Sequence, residues 1–262
     1  MDFGDAAARR VETAYRTPDV AATRVEVLRR LELRSGESVV DLGSGPGFLA
    51  RDMAAAVGSE GRVAGVDISD AMLAMARRRC VDQPWAEFHD ADVTRLPFGD
   101  EAFDAAASTQ VYEYVPDIAA ALSELRRVLR PGGRALIMDT DFGSLVCHSR
   151  DAARTQHILA AYDQHVADPH LPRTLTPKLR AAGLDVVRRE LIPVFNPEGH
   201  PDTFSHGLVE VIREFVVAHA GIAAEEADAW VEELRELAVD GEFFFSLNRY
   251  LFAVRRPDGP GA

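Results

Sequence analysis

Val39-Val40-Asp41-Leu42-Gly43-Ser44-Gly45-Pro46-Gly47-Phe48 is the stretch that decides the fold. It reads as a buried strand, a glycine-rich turn and the first turn of a helix that begins near Phe48. Glycine has no β-carbon, so at Gly43, Gly45 and Gly47 the backbone can approach a ligand without collision, and the following helix presents unpaired N–H groups. The loop suits a nucleotide-type ligand, although glycines between a strand and a helix also serve as a plain tight turn.

A second strand follows, from Gly61 to Val66, and Asp67 falls twenty residues beyond Gly47. That spacing matches the acidic residue that hydrogen-bonds a ribose at the end of the second strand in dinucleotide folds. The glycine pattern departs from the dinucleotide one, because Gly-x-Gly-x-x-Gly needs a glycine where this chain has Phe48. Asp41 also sets a carboxylate beside the ligand, which suits a cation and repels phosphate. A ligand with a ribose, no phosphate and a positively charged amino-acid end fits best.

Four runs then stand in order: Val39 to Gly47; Gly65-Val66-Asp67-Ile68-Ser69; Asp90-Ala91-Asp92-Val93; and Leu129-Arg130-Pro131-Gly132-Gly133-Arg134. Over roughly residues 20–142 the chain resembles the class I S-adenosylmethionine-dependent methyltransferases. It is most similar to the type 11 branch that includes ubiquinone and menaquinone biosynthesis enzymes and many small-molecule methyltransferases. The resemblance implies S-adenosylmethionine as cofactor and S-adenosylhomocysteine as product. It also implies cofactor contacts from Asp41, Gly43, Ser44, Gly45, Gly47, Asp67 and Ile68. Asp92 is placed on the adenine amino group and the Val93 N–H on a ring nitrogen. Met72 is a candidate adenine contact, or plain core at helical spacing.

The expected architecture is α/β: a Rossmann-like seven-stranded sheet, mostly parallel with an antiparallel last strand, and helices on both faces. Residues 3–16 suggest a short helix with Val11 and Tyr15 on one side. Thr17-Pro18 caps a second helix running to about Leu33. By the resemblance these helices cover the cofactor, and Tyr15 is a candidate substrate contact; it reads equally as a tyrosine packed at a helix end. Phe103 to Gln110 is the fourth strand, and Pro116-Asp117 starts a helix that stops at Pro131-Gly132-Gly133 before a fifth strand, Arg134 to Met138.

Ligands in open parallel sheets bind beyond the carboxyl ends of the strands. Gln110 is therefore a candidate for the methionine end of the cofactor, and Tyr112 for the acceptor border or for packing under the next helix. Asp139, Asp141 and Phe142 leave the fifth strand on the same side, with His148 close in sequence. Tyr112, Asp141 and His148 are the candidates for a catalytic base, and Phe142 for the acceptor wall. Structural turn carboxylates remain an alternative for the aspartates.

Beyond Ser149 the motifs end. A helix over 151–167, a short helix opened by Thr176-Pro177 and closed by Gly183, a sixth strand from Leu184 to Phe195, helices over 202–220 and 223–239, and a last strand to Val254 complete the plan. The helical insertion between strands six and seven reads as a lid or dimer surface. The chain divides into N-terminal helices (1–34), a cofactor core (35–145), the remaining sheet with its helical acceptor region (146–256) and a tail (257–262).

The 262 residues are 47% hydrophobic, enough for one large core. No apolar run approaches membrane-spanning length, and the acidic start Met1-Asp2-Phe3-Gly4-Asp5 is unlike a secretory leader, so a cytoplasmic location without membrane insertion is expected. A net charge of −13 disfavours nucleic-acid partners. Cys80 and Cys147 read as reduced thiols, and the histidine spacings give no metal site. The expected activity is methyl transfer to a small, partly apolar molecule by a chain that is a possible homodimer. The competing readings are a cofactor-binding protein of the same fold that steers another reaction such as cyclisation, and a nicotinamide-dependent oxidoreductase, which Phe48 disfavours.

Overall fold

The computed structural model describes residues 12–258. Of the helix expected over 3–16, Val11 lies outside the described residues and Tyr15 inside them. Seven strands form one sheet in the order β3-β2-β1-β4-β5-β7-β6. They are β1 (Ser38–Leu42), β2 (Arg62–Asp67), β3 (Ala86–Asp90), β4 (Phe103–Thr109), β5 (Leu129–Cys147), β6 (Asp185–Asn196) and β7 (Phe245–Arg255). The pairs from β3 to β5 are parallel, and β7 runs antiparallel between β5 and β6. The order reverses at β1, between β2 and β4, so the glycine loop stands at the switch point where open sheets take ligands.

The pleat sends alternate residues to opposite faces. Val40, Leu42, Ala106 and Ile137 pack with Leu122 and Leu125 of α4 (Ile118–Val128) and with Leu175 and Leu179 of α6 (Leu171–Ala181). Val39, Val63, Ala105 and Leu136 pack on the other face with three helices. These are α1 (Pro18–Leu31), α2 (Phe48–Val57) and α3 (Asp70–Arg79). Helices thus cover both faces, as the sequence predicts. A third cluster joins Leu145, Phe245 and Leu247 to α5 (Ala152–Tyr162), α7 (Phe204–His219) and α8 (Ala224–Asp240). Trp230, Val231, Leu234 and Leu237 are all buried in it, whereas Val211 of α7 is exposed. Among the described residues no helix is long and apolar enough to cross a membrane.

Four local expectations differ from the structure. Thr17 stands at the N-cap of α1 but makes no cap bond; its hydroxyl donates instead to the Ala14 carbonyl at 2.7 Å. β5 runs nineteen residues, far past Met138, because β7 pairs with it as far as Cys147 after an irregularity between Asp141 and Val146. α5 ends at Tyr162 and gives way to a 3₁₀ turn, Asp163–His165. α6 begins at Leu171 rather than at Thr176. Pro172 takes the first turn, where a missing N–H costs nothing, while Pro177 sits inside the helix and removes one rung of its ladder.

Candidate active site

The glycine loop leaves β1 with Gly43, Gly45 and Gly47 all at positive φ. A β-carbon on Gly47 would meet the Ala76 side chain at 2.7 Å and its backbone at 2.8 Å, so this glycine lets α2 and α3 approach. A β-carbon on Gly45 would meet nothing within 4 Å, which makes Gly45 the open side of the loop. Asp67, at the tip of β2, accepts from the Gly45 N–H at 2.8 Å and the Ser69 N–H at 2.9 Å. Ser44 anchors the turn by donating its N–H to the Val66 carbonyl at 2.8 Å.

Around this loop lie buried polar atoms without partners: Asp41 Oδ2, Ser44 Oγ and Ser108 Oγ. Burial, and then the neighbouring charge of Asp67, push the Asp41 carboxyl up to about 8. Burial also raises Asp67. Two close carboxyls with no cation between them are what a bound ammonium would relieve. Ile68 is 65% exposed and free to lie against a ring, whereas Met72 is buried against Ala71 and Met75. Asp92 is exposed and caps Thr94 through one oxygen, and Val93 packs in the core. Gln110 has φ +58, a conformation that side chains other than glycine adopt at a cost. Its N–H bonds the Met138 carbonyl at 2.7 Å, and its Oε1 accepts from the Thr140 hydroxyl at 2.6 Å, locking it between the tip of β4 and the middle of β5.

Phe48, the ring that breaks the dinucleotide pattern, lies under Tyr15 with centroids 6.2 Å apart. The Arg79 guanidinium covers Phe48 at 3.6 Å and that of Arg24 at 5.0 Å. Arg24 also donates to the Tyr15 carbonyl at 3.2 Å, so the segment before α1 is strapped over the loop. Burial raises the Tyr15 phenol, which faces Arg249, Asp41, Glu113 and Asp67. Tyr15 therefore stands between the acids at the loop, Asp41 and Asp67, and Glu113 beyond β4.

Beyond β4, Asp139 accepts from the Val111 N–H at 3.1 Å and the Glu113 N–H at 3.3 Å, and its second oxygen has no partner. Glu113 accepts from the Thr140 N–H at 2.7 Å. Burial pushes Asp139 up to about 7, and burial together with the Asp139 charge holds Glu113 well above its ordinary range. The Glu113 carbonyl takes the N–H groups of Ala167 and Asp168 at 2.9 and 3.0 Å, which draws the 3₁₀ turn after α5 toward the site.

That turn delivers His165 into an aromatic box. Its ring stacks on Tyr162 at 3.8 Å, meets Phe142 edge-on at 4.4 Å, and has Phe215 and Tyr114 at 5.9 and 6.1 Å. His165 Nδ1 lies 2.5 Å from the Tyr162 carbonyl. A carbonyl only accepts, so Nδ1 carries the proton and Nε2 is left as a lone pair, buried and without a partner. Burial lowers the imidazole to about 4, so it is neutral near pH 7.

The three residues expected to supply a base stand elsewhere. Tyr112 is fully buried in the apolar cluster with a phenol raised by burial, its hydroxyl without a partner. Asp141 is buried and engaged by Arg173 through both oxygens, at 2.8 and 2.9 Å, with His170 at 3.1 Å. It ties β5 to the start of α6. His148 follows Cys147, the last β5 residue paired with β7, and bonds the Phe244 carbonyl through its N–H. From Asp141↔Asn248 to Cys147↔Phe245 the ladder advances three residues on β7, about 10 Å at the usual rise. Phe142 does reach the aromatic box.

Residues 40–137 match the family described as a methyltransferase domain. These residues are a class I S-adenosylmethionine-dependent methyltransferase domain. The chain is 41% identical over 153 residues to an uncharacterized 37.1 kDa protein in a transposon of Streptomyces fradiae, covering 58% of this chain and 43% of that one. Over 109 residues it is 41% identical to the 2-phytyl-1,4-naphtoquinone methyltransferase of Thermosynechococcus vestitus, covering 42% of this chain and 48% of the relative. The matches thus span less than half the length of these relatives. Haemonchus contortus phosphoethanolamine N-methyltransferase 2, solved in complex with S-adenosyl-L-methionine, shares the fold with a TM-score of 0.63 at 20% identity, covering 98% of this chain and 58% of that chain. The residues of the methyltransferase domain fit that cofactor: an acid with one unpartnered oxygen for an ammonium, a second acid at the ribose spacing, an open glycine and an exposed isoleucine.

The methyltransferase motifs did not point to Glu113, Tyr114, Tyr162, His165 or Arg249. A signal existed for Arg249, which continues the inward register Phe245, Leu247, Leu251 of β7 where an apolar residue belongs. Glu113 lies between two tyrosines just past a strand tip. His165 had no local signal.

Proposed function

We propose that the chain transfers a methyl group from S-adenosylmethionine to a small, partly apolar acceptor held between Tyr15, Tyr114, Phe142 and His165. The observation that carries this is the buried, unpartnered Oδ2 of Asp41 at the start of a glycine loop whose Gly45 is open. When bound, the cofactor supplies an electrophilic methyl on a sulfonium, which an acceptor atom takes by in-line displacement. Asp41 holds the ammonium, Asp67 the ribose hydroxyls, Ile68, Asp92 and Val93 the adenine, and Gln110 the methionine end. The strap through Tyr15 and Phe48 excludes water and fixes the acceptor, an effect worth about 7–11 kcal/mol when alignment is good. We assign the proton-accepting role for a hydroxyl acceptor to His165 Nε2, in place of Tyr112, Asp141 or His148, because it is neutral, unpartnered and already oriented.

The test is transfer of labelled methyl from S-adenosylmethionine into a fractionated low-mass extract, with calorimetric binding of S-adenosylhomocysteine alongside. Label enters a small acceptor with the wild type. Asp67→Ala weakens cofactor binding by about a hundredfold or more, since bonds to a charged group are worth about 1.5–3 kcal/mol each. Cofactor binding without label in any fraction would favour cyclisation or another non-transferring role. No cofactor binding, with NADH bound instead, would favour the oxidoreductase.

A further inference from the structure

Arg249 sits on β7 opposite Thr140 of β5 and Ile192 of β6, at the ligand end of the sheet. It is only 3% exposed, its guanidinium lies 4.4 Å over the Phe204 ring, and its Nε has no hydrogen-bond partner. Among the described residues it makes no ion pair, unlike Arg134, which pairs with Glu37 at 2.7 Å, or Arg173 with Asp141. The groups that face it are Tyr15, Glu113, Asp19 and Tyr114. Asp19 spends its two oxygens on the N–H groups of Val20 and Phe204, at 3.0 and 2.9 Å. Glu113 is turned to the Thr140 N–H, and burial together with the Asp139 charge raises its carboxyl. Arginine does not escape burial by losing its proton, so a positive charge stands here with acids nearby but none in salt-bridge contact and with Nε unpartnered, a costly arrangement unless a ligand completes it.

We propose that Arg249 recognises an anionic oxygen on the acceptor. Resting on the methyl-transfer reading above, this narrows the acceptor to a flat, partly apolar molecule bearing a carboxylate or an ionised hydroxyl. Its ring lies between Tyr15 and Tyr114, and its oxygen meets the guanidinium. Arg249 therefore determines specificity, and it is separate from the residues that hold the cofactor.

The experiment titrates the protein, saturated with S-adenosylhomocysteine, with benzoate and 1-naphthoate, each against its carboxamide, and with 4-nitrophenol below and above its own ionisation. At least one anion binds about tenfold or more tightly than its neutral counterpart. A carboxylate preference and a phenolate preference separate the two sources of the oxygen. Arg249→Met erases the preference and Arg249→Lys retains part of it, while S-adenosylhomocysteine affinity stays unchanged in both. Should Arg249→Met not fold, Arg249→Gln takes its place, keeping a donor without the charge. No preference in any pair overturns the proposal, as does a preference that survives loss of the charge. Loss of S-adenosylhomocysteine affinity in the variant also overturns it, because the guanidinium would then belong to the cofactor. Failure of the wild type to bind S-adenosylhomocysteine would sink the methyl-transfer reading instead.

Discussion

The glycine loop and the aromatic chamber lie at the same end of one sheet, yet they are assembled by different means. The loop is a contiguous run, Asp41 to Gly47, whose geometry follows from local backbone rules and from one further acid at the next strand tip. The chamber draws Tyr15 from before α1, Glu113 from beyond β4, Phe142 from β5, His165 from a 3₁₀ turn and Arg249 from β7. The matched methyltransferase domain, residues 40–137, contains the first region and only a corner of the second. A shared cofactor can therefore be read from one loop. The acceptor is written in contacts that form only when distant segments meet.

If the two regions are separable, damage to one leaves the other intact. The largest expected effect is that of His165→Leu, which removes the unpartnered Nε2 and lowers turnover on a hydroxyl acceptor by about 10²–10⁴-fold, the usual worth of a positioned base. S-adenosylhomocysteine binding, measured by calorimetry on the same variant, stays at the wild-type value. A parallel fall in cofactor affinity would break the comparison, because the chamber would then be shaping the loop.

How much of this was legible in the sequence follows the same division. The strands and the late helices are readable because alternation and helical spacing are local, and because Pro131-Gly132-Gly133 and Gly183 punctuate them; the antiparallel last strand came with the resemblance to the methyltransferases. Asp67 was readable at the tip of β2 from its spacing beyond Gly47, and there it accepts from the Gly45 N–H. Asp141 was read as a candidate base because a carboxylate just past an apolar run looks the same in sequence whether it faces a ligand or, as here, a guanidinium thirty-two residues away. His148 misled because β5 does not stop where its apolar run stops; β7 extends it. Nothing near His165 indicates that the Glu113 carbonyl will pull its turn inward.

A smaller and purely electrostatic contrast concerns Asp41. Its folded carboxyl is raised from 3.8 to about 8, so the native state holds a proton that the unfolded chain has released. This contribution to stability is full below about pH 4 and is lost as pH rises through about 8. Asp41→Asn should flatten that part of the stability profile of the free protein. Cofactor binding has the opposite sign, since an ammonium needs the ionised carboxylate. Affinity should rise by up to about tenfold per pH unit from about pH 5 to about pH 7, levelling off near the ordinary α-amino range of about 7.7–8.0. In Asp41→Asn the slope should vanish. A slope that persists would move the linked proton to Asp67 or to the buried pair Glu113 and Asp139, and the latter outcome would tie the two regions together.

The smallest effect tests the comparison at its finest grain. Ile68 keeps most of its side chain in water while its strand neighbours Val63, Ala64 and Val66 are fully covered, so it contributes little to holding the sheet. Its only gain comes when an adenine ring lies against it. Ile68→Ala should leave the melting temperature nearly unchanged and weaken S-adenosylhomocysteine by roughly fivefold, the worth of about 40 Å² of apolar contact at about 25 cal/mol per Å². The preference among acceptor anions should not move at all. Because Ile68 stands next to Asp67 in the chain and across the site from Arg249, a change in that preference would mean that cofactor and acceptor are read by one surface rather than two.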